Sequence, residues 1–116
     1  MKKSRQINDI LARQMEKIFV QTLVDLKTKN EAESFLNSFF STAEKENFIK
    51  RLGLLYWLKK GRSYSNIKEN LKVSSATIAS MKVLLDKKGI QEAIKKIEAE
   101  EWANQWSEKI KKFLKT

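Results

Sequence analysis

The residues best suited to chemistry lie between positions 64 and 85, and their side chains suit the recognition of duplex DNA. In the second half of this stretch, the residues between the apolar core positions have small or polar side chains. Hydroxyl groups can reach phosphates or base edges, and methyl groups can pack on thymine methyls in a major groove about 12 Å wide. The candidate DNA-contacting residues here are Ser74, Ser75, Ala76, Thr77, Ala79, Ser80 and Lys82.

Basic side chains gather around the same stretch. Between residues 59 and 88, eight lysine or arginine residues stand against two acidic ones. The whole chain of 116 residues carries a formal charge of +10. A charge of this sign and size favours polyanionic partners, namely DNA, RNA or an anionic membrane surface. Lys68 and Lys72 are the candidates for contact with a DNA backbone.

The composition excludes several kinds of chemistry. The sequence contains no cysteine and no histidine, which excludes disulfides, thiolate chemistry, imidazole catalysis and the usual zinc sites. No glycine-rich phosphate loop and no paired carboxylates in an apolar setting are present. We therefore predict that the protein is not an enzyme and uses no cofactor or metal. No apolar run suits a signal peptide or a membrane span, so we expect a cytoplasmic protein without a membrane partner.

Capping residues and apolar spacing predict an all-helical protein with six helices. Proline is absent and only three glycines occur, so the residues that turn-rich folds need are scarce. A wide apolar stripe predicts a first helix over 4–28. Asn30 is expected to cap a short second helix, and Ser41 with Glu44 has the form of a capping box for the third.

The third helix is expected to run to about Lys60 and to be ended by Gly61. Its spacing places Phe48, Leu52 and Leu55 on the inner face. This helix leads directly into the stretch that carries the candidate DNA contacts, and its Trp57 and Tyr56 are expected to pack beneath that stretch.

Two short helices joined by a three-residue turn are expected over 63–87, as in a helix-turn-helix. Ser63 is expected to cap the first helix, Ser74 or Ser75 to cap the second, and Gly89 to end the second. The two helices must bury a small shared core. The residues with the spacing for that core are Ile67, Leu71, Val73, Ile78 and Met81.

No repeat, low-complexity segment or linker divides the chain, so we expect a single helical domain over 1–116. The helices of 1–62 and 89–116 are expected to build the core and a dimer interface. The last of these helices is predicted over about 90–115. The helix-turn-helix at 63–87 would then project from this framework.

The order of these elements resembles the Trp-repressor superfamily over about residues 35–88, most closely within 61–82. A Leu-x-x-Gly sequence at 58–61, which would end a helix, precedes the two helices of the helix-turn-helix, called the reader helices below. The run at 76–78, Ala-Thr-Ile, is similar to the family's second reader helix. The resemblance implies a six-helix fold in an intertwined homodimer, whose reader helices dock in successive major grooves.

The resemblance also implies roles for individual residues. Lys68 matches the family's backbone-contacting lysine. Ser75, Ala76 and Ala79 fall where the family's base-facing residues fall. Arg51 matches one of the two arginines that hold tryptophan in the Trp repressor, which makes Arg51 a candidate ligand-binding residue.

Three departures from the family pattern limit what the resemblance implies. The second tryptophan-holding arginine falls on Ser80, and a later serine that contacts the co-repressor falls near Leu84. Tryptophan is therefore not the effector that we expect. Lys72 stands where glycine is usual, at a left-handed backbone position, so we expect the turn to differ slightly.

Together these features predict a sequence-specific regulator of transcription, a repressor, that binds double-stranded DNA as a homodimer. The helix at about 75–87 would enter the major groove. An alternative is a basic helical interaction protein that binds RNA or a protein partner, although the reader helix lacks the aromatic residues that sequence-specific RNA readers use for stacking. A regulator gated by an effector other than tryptophan is a third hypothesis.

Overall fold

Helices account for nearly all of the chain that the structure describes. The computed structural model describes residues 8–115, with the side chains of Trp106 and of 113–115 excepted. The α-helices are α1 (Asp9–Asp25), α2 (Lys29–Phe39), α3 (Thr42–Lys59), α4 (Tyr64–Leu71), α5 (Ser75–Lys82) and α6 (Lys88–Lys115), and a 3-10 turn, Val83–Asp86, separates the last two. No strand occurs within these described residues, so the predicted all-helical, six-helix fold is confirmed. The predicted start of the first helix, at 4–7, lies outside the described residues.

The chain divides into two compact units, Met1–Lys45 and Glu46–Thr116. Within the first unit, the aromatic rings of α1 and α2 meet. Phe35 and Phe39 stack with ring centres 5.0 Å apart, and Phe19 of α1 lies 5.8 Å from Phe39. No residue of α1 or α2 is fully buried, and Phe19 joins α1 to α2 through its ring contacts with Phe35 and Phe39.

The cap of α2 differs from the prediction. Thr28, not Asn30, is the cap: its hydroxyl oxygen accepts a hydrogen bond from the Glu31 backbone N–H at 3.1 Å. The Glu31 carboxylate in turn accepts from the Lys27 backbone N–H at 3.1 Å. This reciprocal arrangement satisfies two backbone donors at the start of the helix, close to the manner of a capping box. Asn30 therefore lies inside the first turn.

The capping box that starts α3 is confirmed. The backbone N–H of Glu44 donates to the Ser41 hydroxyl at 3.1 Å, and the Ser41 N–H donates to the Glu44 carboxylate at 2.9 Å. The pKa of the Glu44 carboxyl is lowered by hydrogen bonds from Ser41. The largest cause is the Ser41 backbone N–H, and the Ser41 hydroxyl is the second, because both interactions favour the charged carboxylate.

The predicted shared core of the helix-turn-helix is confirmed in the second unit. Leu54 of α3, Ile67 of α4 and Ile78 of α5 are buried together. The half-buried side chains that pack against this cluster are Trp57, Leu58, Leu71, Val73 and Met81.

The predicted inner face of α3 is only partly right. Leu55 is buried, as is Leu54, but Phe48 and Leu52 are each 47% exposed. The core-facing stripe of α3 is shifted, because α4 and α5 pack on Leu54 and on the side chains one turn later. Phe48 and Leu52 belong to turns of α3 that precede this packing.

The predicted end of the second reader helix is wrong. We expected a helix to about residue 87 ended by Gly89, but α5 ends at Lys82 and a 3-10 turn follows. The chain becomes extended at Lys87, whose φ is −80° and ψ is 134°. Gly89 consequently lies in the first turn of α6. In the 3-10 turn Leu84 and Leu85 are half-buried, while the chain changes direction toward α6.

The long helix α6 is fixed to α3 within the second unit. Ile94 is buried, and the Tyr56 hydroxyl donates a hydrogen bond to Glu101 Oε1. Lys60 Nζ lies 3.5 Å from the other carboxylate oxygen of Glu101. These contacts reach from the first turns of α6 to its middle, at Glu101. Among the described residues, no helix is both long enough and apolar enough to span a membrane.

Candidate nucleic-acid interface

Serine caps start both helices of the helix-turn-helix, as predicted. The Ser63 hydroxyl accepts a hydrogen bond from the Asn66 backbone N–H at 3.1 Å, which starts α4. Ser74, rather than Ser75, caps α5: its hydroxyl oxygen accepts from the Thr77 N–H at 3.1 Å. Each cap satisfies a backbone donor that the helix itself cannot pair.

The turn between the two helices keeps left-handed geometry without glycine. Lys72 has φ 57° and ψ 48°, and its N–H donates to the Lys68 carbonyl at 3.0 Å. These are standard left-handed values, so the difference that we expected in the turn is not present in the backbone. A lysine in this conformation is strained relative to glycine.

The buried side chain of Ile78 sets the rotation of α5. Ile78 is 0% exposed. At about 100° per residue, Ala76 and Ser80 lie about 160° away from Ile78 around the helix and Ala79 lies about 100° away. These three residues are exposed. The face of α5 that points away from the core therefore consists of methyl and hydroxymethyl groups.

Two hydroxyl groups on α5 already have partners. The Thr77 and Ser74 hydroxyl oxygens lie 2.9 Å apart, and the Ser80 hydroxyl donates to the Thr77 carbonyl at 2.9 Å. A hydroxyl that donates to its own helix can still accept a second hydrogen bond. Thr77 and Ser80 are therefore held in fixed orientations and keep acceptor capacity toward a ligand.

The predicted basic residues occupy both helices and the turn. Lys68 lies on α4, Lys72 in the turn, and Lys82 at the end of α5, and all three are exposed. The Lys82 ammonium lies 6.0 Å from the ring centre of Tyr64, so the end of α5 is next to the start of α4. All nine predicted DNA-contacting residues are exposed and lie in the second unit.

One basic residue at this site was not predicted. The Arg62 guanidinium lies 4.1 Å from the ring centre of Trp57, and its Nη1 donates to the Asn66 side-chain oxygen at 3.1 Å. A signal for this contact exists in the sequence. The residue that follows a helix-ending glycine contacts a residue in the last turn of that helix, and here these residues are Arg62 and Trp57.

Arg51, the candidate ligand-binding residue, lies beside a small cavity of about 180 Å³ between α3, the turn and α5. Thr77 and Val73 line the same cavity, whereas Ser80 and Leu84 do not. The structure thus places Arg51 near the reader helix, and its predicted role remains a prediction. Within residues 8–115 we find no cluster of acidic side chains that could hold a metal ion.

A family model described as Trp repressor protein matches residues 14–98, which is 85 of the chain's 116 residues. The chain belongs to the Trp repressor family. The resemblance inferred from the sequence is confirmed, and the match is wider than the segment that suggested it. At the level of the family, this chain is a DNA-binding transcriptional regulator. Neither the comparison with curated proteins nor the comparison with solved structures gave a match.

The family match contains the whole helix-turn-helix and ends within α6. This member of the Trp repressor family therefore carries its candidate interface, from Arg62 to Lys82, inside the matched segment. The part of α6 beyond residue 98 lies outside the match.

Proposed function

We propose that this Trp repressor family member is a sequence-specific repressor that inserts α5 into the major groove of duplex DNA. The observation that carries the proposal is the burial of Ile78, because it turns Ala76, Ala79 and Ser80 away from the core. Methyl and hydroxymethyl groups fit close to base edges and can distinguish thymine methyls from other groups. A small protein that occupies a promoter blocks access to it, which makes repression the simplest mode of action.

The basic residues would hold the DNA backbone while α5 reads bases. We assign Lys68 and Lys72 to phosphates, since both are exposed and lie on or just after the helix that crosses the backbone in a helix-turn-helix. Lys82 is assigned to the same backbone at the other end of the motif. If four to six lysines contact phosphates, the logarithm of affinity falls with the logarithm of salt at a slope of about −4 to −5.

A homodimer is part of the proposal. The apolar residues of α1 recur at helical spacing, yet its large apolar side chains are 36–66% exposed. An exposed apolar face of this extent favours burial against a second chain. We keep 1–62 and 89–116 as the predicted core and dimerisation segments of a single domain. A dimer would place its two reader helices on half-sites about 34–36 Å apart.

Tryptophan is not part of the proposal, because Ser80 and Leu84 occupy the positions of two family ligand contacts. Arg51 remains a candidate contact for another effector. A role on DNA requires that the protein share a compartment with DNA, so we retain the predicted cytoplasmic location.

Ala79→Glu tests the reader face. A carboxylate at this position would lie against the negatively charged groove, and such like-charge contacts cost several kcal/mol. We expect at least about a 100-fold loss of affinity for operator DNA in a gel-shift titration. Ala32→Glu, at an exposed position in the first turn of α2, is the matched control and should bind normally.

Circular dichroism and thermal unfolding should show that both variants remain folded. If folded Ala79→Glu retards operator DNA as the wild type does, the assigned reader face is wrong. Competition between duplex DNA and structured RNA at physiological salt separates the proposal from the alternative of an RNA-binding or protein-binding module. Preferential displacement by RNA would favour that alternative.

A further inference from the structure

Arg62 is held at three points just before α4. Its backbone N–H donates to the Trp57 carbonyl at 3.1 Å, its guanidinium lies 4.1 Å from the centre of the Trp57 ring, and its Nη1 donates to Asn66 at 3.1 Å. An exposed arginine ordinarily samples many rotamers. Here the backbone, an aromatic ring and an amide from the following helix fix both ends of the side chain.

The sequence builds this arrangement through the way that α3 ends. Gly61 has φ +83° and donates its N–H to the Leu58 carbonyl at 3.0 Å, while the next N–H, that of Arg62, reaches back to Trp57. These two hydrogen bonds define a Schellman motif, in which the residue after the glycine lies against the last turn of the helix. A guanidinium on an indole ring adds a cation–π interaction to that contact.

The Trp57 ring cannot easily move away from Arg62. Trp57 packs against the buried cluster of Leu54, Ile67 and Ile78. The same cluster fixes the rotation of α5. The position of the Arg62 guanidinium is therefore tied to the position of the proposed reader face through one continuous core.

The location of Arg62 suits a phosphate. The first helix of a helix-turn-helix crosses the DNA backbone while the second enters the groove. Arg62 directly precedes the cap of α4, and the contact between Lys82 and Tyr64 brings a second cation to the same end of the motif. Asn66 uses one N–H of the guanidinium, and the remaining donors can form the paired hydrogen bonds that arginine makes to phosphate oxygens.

We propose that Arg62 is a phosphate contact that sets the register of α4 on DNA, and that Trp57 and Asn66 are its positioning residues. This inference rests on the proposed DNA-binding function. Because the contact is to the backbone, it strengthens binding to any duplex equally and gives no preference among base sequences.

The test measures the affinity for a fluorescein-labelled 30-base-pair duplex of mixed sequence by anisotropy over a range of salt concentrations. Arg62→Met should lower the affinity about tenfold and reduce the magnitude of the salt slope by about 0.9, the value for one lost phosphate contact. Arg62→Lys should retain the slope and lose only a few-fold in affinity, because lysine keeps the charge without the planar fork. Asn66→Ala should also keep the slope and weaken binding a few-fold.

Arg13→Met is the matched control, since Arg13 is an exposed arginine on α1 and its loss changes the net charge equally. The slope of this variant should stay close to that of the wild type. An unchanged slope for Arg62→Met, or an equal reduction for Arg13→Met, overturns the assignment of Arg62. The proposed function is not affected by either result, provided that the wild type binds the duplex. If the wild type itself does not bind the duplex, the proposed function and this inference both fail.

Discussion

Replacing Lys72 with glycine should stabilise the protein and weaken its hold on DNA. Lys72 is the one non-glycine residue with positive φ among the described residues. A left-handed conformation costs an ordinary residue about 1–2 kcal/mol, and glycine removes that cost but loses about 0.5–1 kcal/mol through its more flexible unfolded state. At the middle of each range, the net gain in the free energy of unfolding is about 0.75 kcal/mol. The cap hydrogen bond to Lys68 is retained, because glycine keeps the backbone N–H.

The two consequences of Lys72→Gly are measured separately. Thermal unfolding followed by circular dichroism should show a rise in Tm of about 2–6 °C. Anisotropy titrations should show weaker DNA binding, with a salt slope smaller by about 0.9, because one phosphate contact is lost. A higher Tm together with a lower affinity for DNA would identify Lys72 as a residue that destabilises the fold but strengthens DNA binding.

Lys87→Gly is the control for this experiment. It removes the same charge from an exposed position with an ordinary φ of −80°, so it relieves no strain and should not raise Tm. If Lys72→Gly leaves Tm unchanged or lowers it, or if Lys87→Gly gives the same rise, the strain that we assign to Lys72 is refuted.

Two further predictions concern stability. Ile78→Ala should lower the free energy of unfolding by about 2–5 kcal/mol in urea titrations, since Ile78 is fully buried. A loss no larger than that of Val83→Ala, at a position 65% exposed, would contradict this core assignment. Glu44 has its pKa lowered below the ordinary 4.5 by Ser41, so its contribution to stability is present above that pH and is lost as the pH falls through the lowered pKa. Glu44→Gln should therefore show a smaller fall in Tm on acidification than the wild type, and an equal fall would count against the capping box as the cause.

Local sequence was enough to predict the helix-turn-helix and several of its caps. The core that joins Ile67 to Ile78 involves residues close in the chain, so helical spacing alone brings them together. The Ser41 and Ser63 caps each depend on residues within one turn, and both form as predicted. Such features need no information about distant parts of the chain.

Features that depend on packing between helices could not be predicted in this way. The apolar spacing of α3 allowed more than one inner face, and the packing of α4 and α5 on Leu54 decided between them. Thr28 and Asn30 are both good helix caps, and composition does not rank them. The end of α5 was misplaced because Gly89 resembles a helix stop, although the chain becomes extended two residues earlier, at Lys87.

The candidate site also contains both kinds of feature, those that local sequence predicts and those that depend on packing. Exposure of the predicted reader residues follows from the one buried position on α5, which helical periodicity identifies. Arg62 escaped prediction because it was treated as one charge among eight in a basic stretch. The role that we propose for Arg62 depends on its contact with Trp57 across the Schellman motif, and Gly61 is the sequence signal for that contact.

Selection of bound sequences from a random duplex library is the measurement that tests the central claim most directly. We predict enrichment of a pseudo-palindromic motif, with two half-sites whose centres lie about one helical turn apart, and loss of that enrichment for Ala79→Glu. Enrichment that follows only duplex length, with no shared motif, would contradict sequence-specific recognition by α5.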